Sequence, residues 1–336
     1  MTGIPSGGRT VVAGDSRVVV FGLGGTIAMT ADGPGGVVPA LSARQLVAAV
    51  PGLAETGISV EVRDFRRVPG AAVSLADVYA VAAEIEKCSA GVVVTQGTDT
   101  IEETAFLLDL LLSRDEPVVV TGAMRNPTLA GADGPANLLA AIQTAAGEDA
   151  RGLGAVVVFA DEIHAARRVR KTHTSSCATF QSVNGGPLGY VVEGRVRVVN
   201  RPVRRTSVPR SAESRDVTVA VVPMVLGDTG VVLEAIADRV DGVVVAAFGA
   251  GHVPEGVVEV VSGLAARMPV VLASRTGGGS VLATTYGFRG SESDLLGRGL
   301  ISAGFLDAYK ARILLHHLLA RGFDTDAVRA VFAENA

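Results

Sequence analysis

The chain has 336 residues, 48% of them hydrophobic and 19% charged, which allows a large buried core and excludes an intrinsically disordered chain. A chain of this length suits two α/β domains better than one small domain. The formal net charge of −4 comes without a basic stripe, and the two cysteines and five histidines are scattered, which argues against a nucleic-acid partner, a disulfide scaffold and a catalytic zinc.

The N-terminal segment, residues 1–17, contains no apolar core of signal-peptide length. No apolar segment of the chain reaches the roughly 18 residues that a membrane-spanning helix needs. We therefore expect a cytoplasmic protein without a membrane partner.

Continuous apolar runs recur along the chain, and they do not alternate with polar residues. Such runs are typical of strands that are buried on both faces of a parallel sheet. The predicted strands are 17–22, 91–97, 117–123, 154–160, 217–224, 242–249 and 269–275.

Helix-like segments lie between several of these runs. The predicted helices are 74–87, 100–113 and 134–146. Ser74 is the expected N-cap of the first helix, with Asp77 three residues later, and the early Glu102 and Glu103 suit the positive end of the second helix. The alternation predicts an α/β fold with a larger N-terminal doubly wound, mostly parallel-sheet domain and a smaller C-terminal α/β domain.

A change in composition falls at residues 201–216, which are polar, charged and contain prolines. A segment of this kind is unsuited to a core and is typical of a connection between domains. We therefore expect an N-terminal domain at 17–200, a linker at 201–216 and a C-terminal domain at 217–336.

The first predicted strand runs into a glycine turn, "FGLGGTIA" at 21–28. Counted from Gly22, the sixth position of a dinucleotide fingerprint is Ile27, and no Gly-Lys-Ser/Thr ending follows, so a phosphate-binding loop is disfavoured. The turn instead presents Thr26 at the carboxyl end of a strand, where ligands bind in α/β sheets and where a threonine can act as a nucleophile. From this segment alone, a threonine that merely caps the turn is the simpler interpretation.

Three further segments place polar side chains where predicted strands end. They are "VVVTQGTDTIEETA" (92–105) with Thr98 and Asp99, "VVVTGAMRNPTLAGADGPANL" (118–138) with Arg125, Asp133 and Asn137, and "RRVRKTHTSSCATFQSVNGGPLGYV" (167–191) with Lys171. Taken singly, each segment reads more simply as a cap, a structural loop or a solvent-facing lysine.

Taken together, these segments resemble one family, the bacterial-type L-asparaginases and glutaminase-asparaginases. The family's first signature, T/G-G-G-T-I-A, corresponds to "LGGTIA" at 23–28, and the second, H-G-T-D-T-x-E-E-T-A, to "QGTDTIEETA" at 96–105. The segments "TGAMR", "DGPANL" and "GPLGY", and "KARILLHHLL" at 310–319, also match, so the resemblance extends from about residue 17 to residue 334.

The family hydrolyses a side-chain amide to a carboxylate and ammonia, without a metal or cofactor. The resemblance implies that Thr26 is the nucleophile and that Thr98, Asp99 and Lys171 complete the catalytic group. A lysine amine can serve as a base if burial lowers its pKa, and the charge of Asp99 would oppose that lowering. Asp99 either orients Lys171 or binds a substrate ammonium, and these alternatives stay open.

The same resemblance implies the substrate and the assembly. Gly97, Thr98, Asp99 and Ala123 match positions that bind substrate, and backbone N–H groups at Gly97 and Thr98 would stabilise an oxyanion. The expected substrate is L-asparagine, and the expected assembly is a homotetramer or dimer with sites between subunits.

The chain departs from the family in its tyrosines. Many members place a tyrosine in the loop after the first signature, but residues 29–42 contain none. The chain's tyrosines are Tyr79, Tyr190, Tyr286 and Tyr309. Tyr286 lies in a glycine-rich loop at 277–292, in a part of the second domain that reaches a neighbouring subunit's site in the family. We expect Tyr286 to replace the missing tyrosine; ordinary packing against Phe288 is the alternative.

A second departure concerns the substrate carboxylate. The family places a polar pair before the helix at 74–87, where this chain has Ala71 and Ala72. Ser74, Arg66 or Arg67 would then have to supply the contact.

Two further positions also differ. His252 stands in "FGAGHVP" where the family has an amide residue, and Gln96 stands where the family usually has histidine. His252 is either a pH-dependent donor or a loop histidine in solvent. These changes leave open glutamine, a D-amino acid or another small amide as substrate, and also a weakly active member that binds an amino acid for sensing.

Overall fold

The computed structural model describes residues 16–31, 37–39, 41–202, 206–209 and 215–335. Parts of the loop at 29–42 (32–36 and 40) and of the predicted linker (203–205 and 210–214) lie outside these residues. Among the described residues, no helix combines the length and the apolar character that crossing a membrane requires.

The larger sheet has eight strands in the described residues. They are β1 Arg17–Gly24, β4 Ser59–Val68, β5 Gly91–Thr95, β6 Val118–Thr121, β7 Ala155–Phe159, β8 Glu162–Ala165, β11 Gly189–Val192 and β12 Arg195–Val198, in the order β12-β11-β8-β7-β6-β5-β1-β4. Strands β4, β1, β5, β6 and β7 are parallel, whereas β8, β11 and β12 are joined by antiparallel pairing. The predicted mostly parallel sheet is therefore confirmed.

Two short hairpins lie outside that sheet, and a second, parallel sheet forms the C-terminal part. The hairpins are β2 Met29–Ala31 with β3 Val37–Pro39, and β9 Val169–Lys171 with β10 Phe180–Ser182. The smaller sheet is β13 Val219–Pro223, β14 Gly242–Ala247, β15 Val270–Ser274 and β16 Ile301–Ser302, in that order.

Helices cover both faces of each sheet. They are α1 Ala43–Ala48, α2 Leu75–Ile85, α3 Ile101–Leu111, α4 Gly134–Ala146, α5 Val231–Ile236, α6 Val258–Ala265, α7 Glu292–Gly297, α8 Ala308–Ala320 and α9 Thr325–Asn335. The predicted cap of α2 is confirmed, because the Ser74 hydroxyl accepts from the Asp77 N–H while the Asp77 carboxylate accepts from the Ser74 N–H.

The residues of β1 alternate between two apolar cores, as expected for a strand that is covered on both faces. Val18 and Val20 pack on the side of α1 and α4, and Val19 and Phe21 pack on the side of α2 and α3. The second core also contains α8 and one face of the smaller sheet, so α3 and α8 lie in contact between the two sheets.

The predicted linker is more than a connection. Val208 is buried, its N–H donates to the Leu110 carbonyl at 2.7 Å, and its carbonyl lies 2.7 Å from the Nε2 atom of His317. Val208, an apolar residue within a polar segment, therefore attaches this part of the predicted linker to α3 and α8. The domain boundary at 201–216 stays a proposal.

Candidate active site

Two adjacent parallel strands bring the two signature segments to one edge of the larger sheet. Strand β1 pairs with β5, with Gly22 opposite Thr95, so both strands end at the same edge. Each strand is followed by a short 3-10 turn, Thr26–Ala28 after β1 and Thr98–Thr100 after β5. The turns place Thr26 and Thr98 at the same edge of the sheet, where α/β sheets bind ligands.

Glycines let the two turns touch. Gly25 has a positive φ of 87°, and a Cβ there would overlap the backbone nitrogen of Gly97. A Cβ at Gly97 would in turn meet the backbone of Gly70, which lies in the loop after β4. The glycine turn after β1 therefore serves a close approach between backbones, and the residues that follow the two touching glycines are Thr26 and Thr98.

Lys171 joins this edge from the far end of hairpin strand β9. Its Nζ atom donates to Thr98 Oγ1 at 2.9 Å and to Asp99 Oδ1 at 2.8 Å. The side chain of Lys171 is 17% exposed and that of Asp99 is 60% exposed. Lys171 is therefore mostly buried, whereas Asp99 faces the solvent. The predicted Thr98, Asp99 and Lys171 are thus brought into direct contact.

Thr26 follows Gly25, whose backbone approaches that of Gly97, and it makes no hydrogen bond to Thr98, Asp99 or Lys171. It is half-buried, it is followed by the buried Ile27 and Ala28, and its hydroxyl has no hydrogen-bond partner in the described part of the chain. Thr98 begins its 3-10 turn, a position where a backbone N–H has no acceptor within the turn. One hydroxyl and one backbone donor are therefore available to a ligand.

The β5 turn is held by residues that the sequence did not single out for this role. The buried Gln96 donates from Nε2 to Thr100 Oγ1 at 3.1 Å, and Thr100 Oγ1 donates to the Gly70 carbonyl at 3.0 Å. These bonds fix the turn that presents Thr98 and Asp99. The signal for Gln96 was its place in the second signature; nothing in the sequence pointed to Thr100 or Gly70.

The loop before α2 shows which of Ser74, Arg66 and Arg67 has a free side chain that could replace the missing polar pair. The Ser74 hydroxyl is used in the cap of α2, and the Arg66 Nε atom donates to Asp77 at 2.8 Å. Arg67, in contrast, is exposed and its side chain has no hydrogen bond or ion pair to any described residue. Ala71 and Ala72 are exposed in a 3-10 turn.

The segment after β6 is ordered by Asp133. Its carboxylate accepts from the backbone N–H groups of Met124 and Arg125, and from the Asn137 amide at 3.2 Å. Asn137 lies in α4 rather than in the loop. The side chain of Ala123 is fully buried, so any contact of this residue with a substrate would be made by its backbone.

The remaining candidates form an aromatic cluster in the smaller domain. The His252 ring lies edge-on to Tyr286 and Phe288, with centroids 4.9 and 5.0 Å away, and its Nε2 atom is 3.1 Å from a carboxylate oxygen of the buried Glu292. Burial opposes ionisation of Glu292, but the N–H groups of Tyr286 and Thr285 and the His252 ring outweigh it and lower the pKa of Glu292. His252 is therefore packed against two aromatic rings and paired with Glu292, and it is not a loop histidine in solvent.

Tyr286 does pack against Phe288, with ring centroids 6.2 Å apart. It nevertheless stays 43% exposed, and its hydroxyl has no hydrogen-bond partner among the described residues. Among those same residues, no group of three or more histidine, cysteine or acidic side chains is arranged to hold a metal.

Two sequence-family models match the chain. The model described as "Asparaginase, N-terminal" matches residues 17–204, and the one described as "Glutaminase/Asparaginase C-terminal domain" matches residues 218–332. The chain belongs to the asparaginase family. The unmatched residues between the two models, 205–217, overlap the predicted linker at 201–216 in all but the last residue.

Individual relatives agree with this family. The chain is 38% identical over 327 residues to the probable L-asparaginase of Deinococcus radiodurans, with 95% of this chain and 97% of that protein covered. It is 37% identical over 248 residues to L-asparaginase 2 of Escherichia coli, with 72% and 70% covered. The crystal structure of a probable cytoplasmic L-asparaginase from Campylobacter jejuni superimposes with a TM-score of 0.84 at 31% identity, covering 95% and 99% of the two chains.

Proposed function

We propose that the chain hydrolyses the side-chain amide of L-asparagine to L-aspartate and ammonia, with Thr26 as the nucleophile. The observation that carries the proposal is the contact of Lys171 with both Thr98 and Asp99, on a turn whose Gly97 approaches the Gly25 that precedes Thr26. A hydroxyl next to an amine and a carboxylate is the arrangement that covalent acyl transfer needs. Family membership supports the same reaction.

The reaction proceeds in two steps. Thr26 Oγ1 forms a bond to the amide carbon while its proton moves to the Thr98–Lys171 pair. The tetrahedral oxyanion, stabilised by backbone N–H groups at Gly97 and Thr98, collapses; the carbon–nitrogen bond breaks and the nitrogen leaves with that proton as ammonia. Water then adds to the Thr26 ester, which releases L-aspartate and restores the hydroxyl.

Charged groups at the edge of the site suit an α-amino acid. In our proposal Asp99 binds the substrate ammonium with the oxygen that Lys171 does not use, and Arg67 binds the substrate carboxylate. The Ala123 backbone completes the pocket. L-Glutamine and the D-amino acids present the same groups with different spacing or hand, so they remain the alternatives for a substrate test.

We further propose that the enzyme is a cytoplasmic homotetramer or dimer and that Tyr286 of one subunit serves the site of another. The exposed side of Tyr286 and the missing tyrosine in residues 29–42 support this role. The Campylobacter jejuni relative carries the description "cytoplasmic", which supports the location.

Ammonia release from L-asparagine, L-glutamine and their D-isomers tests the proposal. We expect turnover of L-asparagine by the wild type and its loss, by about 10³-fold or more, in Thr26→Ala. Thr56→Ala, which removes a hydroxyl from another 3-10 turn, is the matched control and should keep full activity.

The outcomes separate the rival functions. Turnover of a different amide that is abolished in Thr26→Ala would retain the reaction and change the substrate. Equal turnover by wild type and Thr26→Ala would refute the nucleophile. Binding of an amino acid with no release of ammonia from any of the four would refute the enzyme and favour a sensing protein.

A further inference from the structure

The strand that carries Lys171 is short. Strand β9 is three residues long and pairs with β10, which is also three residues long. A two-stranded ribbon is marginally stable on its own, and an exposed hairpin tip is expected to move. Something besides the ribbon must therefore fix the lysine that contacts Thr98 and Asp99.

A lysine from the other domain contacts this strand. Lys310, in the first turn of α8, is completely buried, and its Nζ atom donates to the backbone carbonyl of Val169 at 2.7 Å. Val169 is the first residue of β9 and is itself fully buried. Helix α8 thus holds the start of β9, and Lys171 is two residues further along.

The same ammonium faces two carboxylates. Lys310 Nζ donates to Asp307 Oδ2 at 2.7 Å and lies 3.9 Å from Glu102 Oε2. Burial opposes ionisation of Asp307, but the charge and the hydrogen bonds of Lys310 outweigh it and lower the pKa of Asp307. Burial raises the pKa of Glu102, against the attraction of Lys310.

Glu102 closes the connection to the site. Its Oε2 atom, the one near Lys310, accepts the backbone N–H of Lys171 at 2.9 Å. Strand β9 is therefore held at both ends of its three residues, by Lys310 at the Val169 carbonyl and by Glu102 at the Lys171 N–H. The sequence explains Glu102 as an acidic residue in the first turn of α3. In the structure its carboxylate also binds β9.

A buried ion group of this kind is a poor device for stability alone. Removing an ammonium and two carboxylates from water costs free energy that their attraction only partly repays, and apolar residues of similar volume are often as stable. The ion group instead fixes the position of β9, because its hydrogen bonds hold the Val169 carbonyl and the Lys171 N–H. An apolar contact would leave both of these backbone groups free to shift.

We infer that Lys310, with Glu102, is a positioning residue for catalysis: it holds strand β9 from the C-terminal domain and so fixes the Lys171 amine against Thr98 and Asp99. The inference rests on the proposed function, since it needs Lys171 to act in the reaction. Lys310 itself lies two contacts away from the substrate groups and touches none of them.

The test compares kcat and KM for L-asparagine in Lys310→Met and in a matched control, Arg312→Met. Arg312 is on the same helix, but its Nε atom donates to the Val219 carbonyl of its own domain at 3.0 Å. We expect Lys310→Met to lower kcat by about tenfold or more, because small misplacements of a catalytic group are costly, with KM within about threefold. Arg312→Met should keep both constants near the wild-type values at a comparable melting temperature.

Two further variants keep the test informative if Lys310→Met does not fold. Glu102→Ala removes the acceptor for the Lys171 N–H, whereas Glu102→Gln keeps an oxygen in its place. We expect kcat to fall in Glu102→Ala and to be largely restored in Glu102→Gln. Amide hydrogen exchange of the wild type, Glu102→Ala and Arg312→Met should show faster exchange over residues 167–180 in Glu102→Ala alone.

Lys171→Met separates failure of the inference from failure of the proposed function. If Lys171→Met retains turnover, the assigned role of Lys171 is wrong. If Lys171→Met is inactive while folded Lys310→Met and Glu102→Ala keep the wild-type kcat, or if equal exchange is seen over residues 167–180, the positioning role is wrong and the proposed function is unaffected.

Discussion

At the scale of single residues, the contact between Gly25 and Gly97 sets how closely the two threonines approach. Gly25→Ala introduces a Cβ at a φ of 87° and against the Gly97 backbone, so one of the two turns must move. We expect a loss of at least about 100-fold in kcat, because a shift of the order of 1 Å removes the alignment of Thr26 with the Thr98–Lys171 pair.

The matched control is Gly57→Ala. Gly57 also has a positive φ, of 70°, but a Cβ there would meet nothing within 4 Å. This variant should lose about 1 kcal/mol of stability from backbone strain and keep its kcat. Equal activity losses in the two variants, measured at matched folded fraction, would show that strain and not the contact with Gly97 matters.

The sequence left two roles open for Asp99, the orientation of Lys171 and the binding of the substrate ammonium. Its exposed oxygen favours a contact with the substrate ammonium, so we expect Asp99→Asn to raise KM by about 10- to 100-fold, the value of a hydrogen bond between charged groups. Steady-state kinetics with L-asparagine measure this. A fall in kcat at unchanged KM would instead assign Asp99 to the orientation of Lys171.

At the residue level, the structure shows the contact that the resemblance implied for Lys171, while the catalytic roles stay a prediction. Thr98 and Asp99 are neighbours in the chain, and their contact with Lys171 was expected from the resemblance. Glu102, Gly70 and Thr100 were not recognised as supports, because each acts on a segment that is distant in sequence. The packing of His252 against Glu292 could not be anticipated for the same reason.

At the scale of elements, His164 couples strands β8 and β10 and makes their contact sensitive to pH. The ring is 1% exposed, its Nδ1 atom lies 3.0 Å from Ser182 Oγ, and burial lowers the pKa of His164 from 6.5 to about 4. As the pH falls from 6.5 towards 4, the unfolded chain therefore takes up a proton that the folded chain does not.

We expect this histidine to remove up to about 3 kcal/mol of the free energy of unfolding between pH 6.5 and pH 4. The Glu162 carboxylate, 3.3 Å from Nε2, favours the charged ring and reduces the figure. Denaturant unfolding across this range should show a shallower loss in His164→Gln than in the wild type. Parallel curves for the two proteins would contradict a neutral buried His164.

The elements that the sequence predicted are those whose burial is uniform. The central strands β1, β5, β6, β7, β14 and β15 are continuous apolar runs, and the prediction found them all. The edge strand β4 reads "SVEVRDFRRV" and is largely exposed or half-exposed, so no apolar run marks it. The three-residue strands β9 and β10 depend on tertiary contacts and carry no pattern long enough to predict.

At the scale of the whole molecule, the two sheets share the helical layer of α3 and α8. The apolar core on that side includes residues of both sheets, and Val208 of the predicted linker is buried against the same layer. The C-terminal domain is therefore part of the support for the N-terminal site. Chain length and the polar segment at 201–216 predicted two domains, but they could not show that the domains share a core, since shared packing leaves no local pattern.

Exposed apolar residues also distinguish one end of the smaller domain. Loops at the carboxyl edge of the smaller sheet carry a group that we call the carboxyl-edge patch. It consists of Val225, Leu226, Leu282, Tyr286 and Phe288, each between 38% and 98% exposed. Apolar residues grouped in this way mark an interaction surface more often than a free one. In the assembly that we propose, a second subunit bound there would bring Tyr286 to that subunit's site.

Cross-complementation of two impaired variants tests this arrangement. Thr26→Ala lacks the nucleophile and Tyr286→Phe lacks the hydroxyl, so each homo-oligomer should have little activity. If Tyr286 acts across subunits, a one-to-one heterodimer contains one site with Thr26 from one chain and Tyr286 from the other. Tandem-tagged heterodimers should then recover about half of the wild-type rate of ammonia release.

The control pairs Thr26→Ala with the double variant Thr26→Ala/Tyr286→Phe, which supplies no nucleophile and should stay inactive. No recovery in the first heterodimer would place Tyr286 in its own subunit's site, because the two defects would then never be separated. Full activity of Tyr286→Phe by itself would remove the tyrosine from the mechanism and leave it as a packing partner of His252 and Phe288. Recovery near one half is therefore the result that only a site shared between subunits produces.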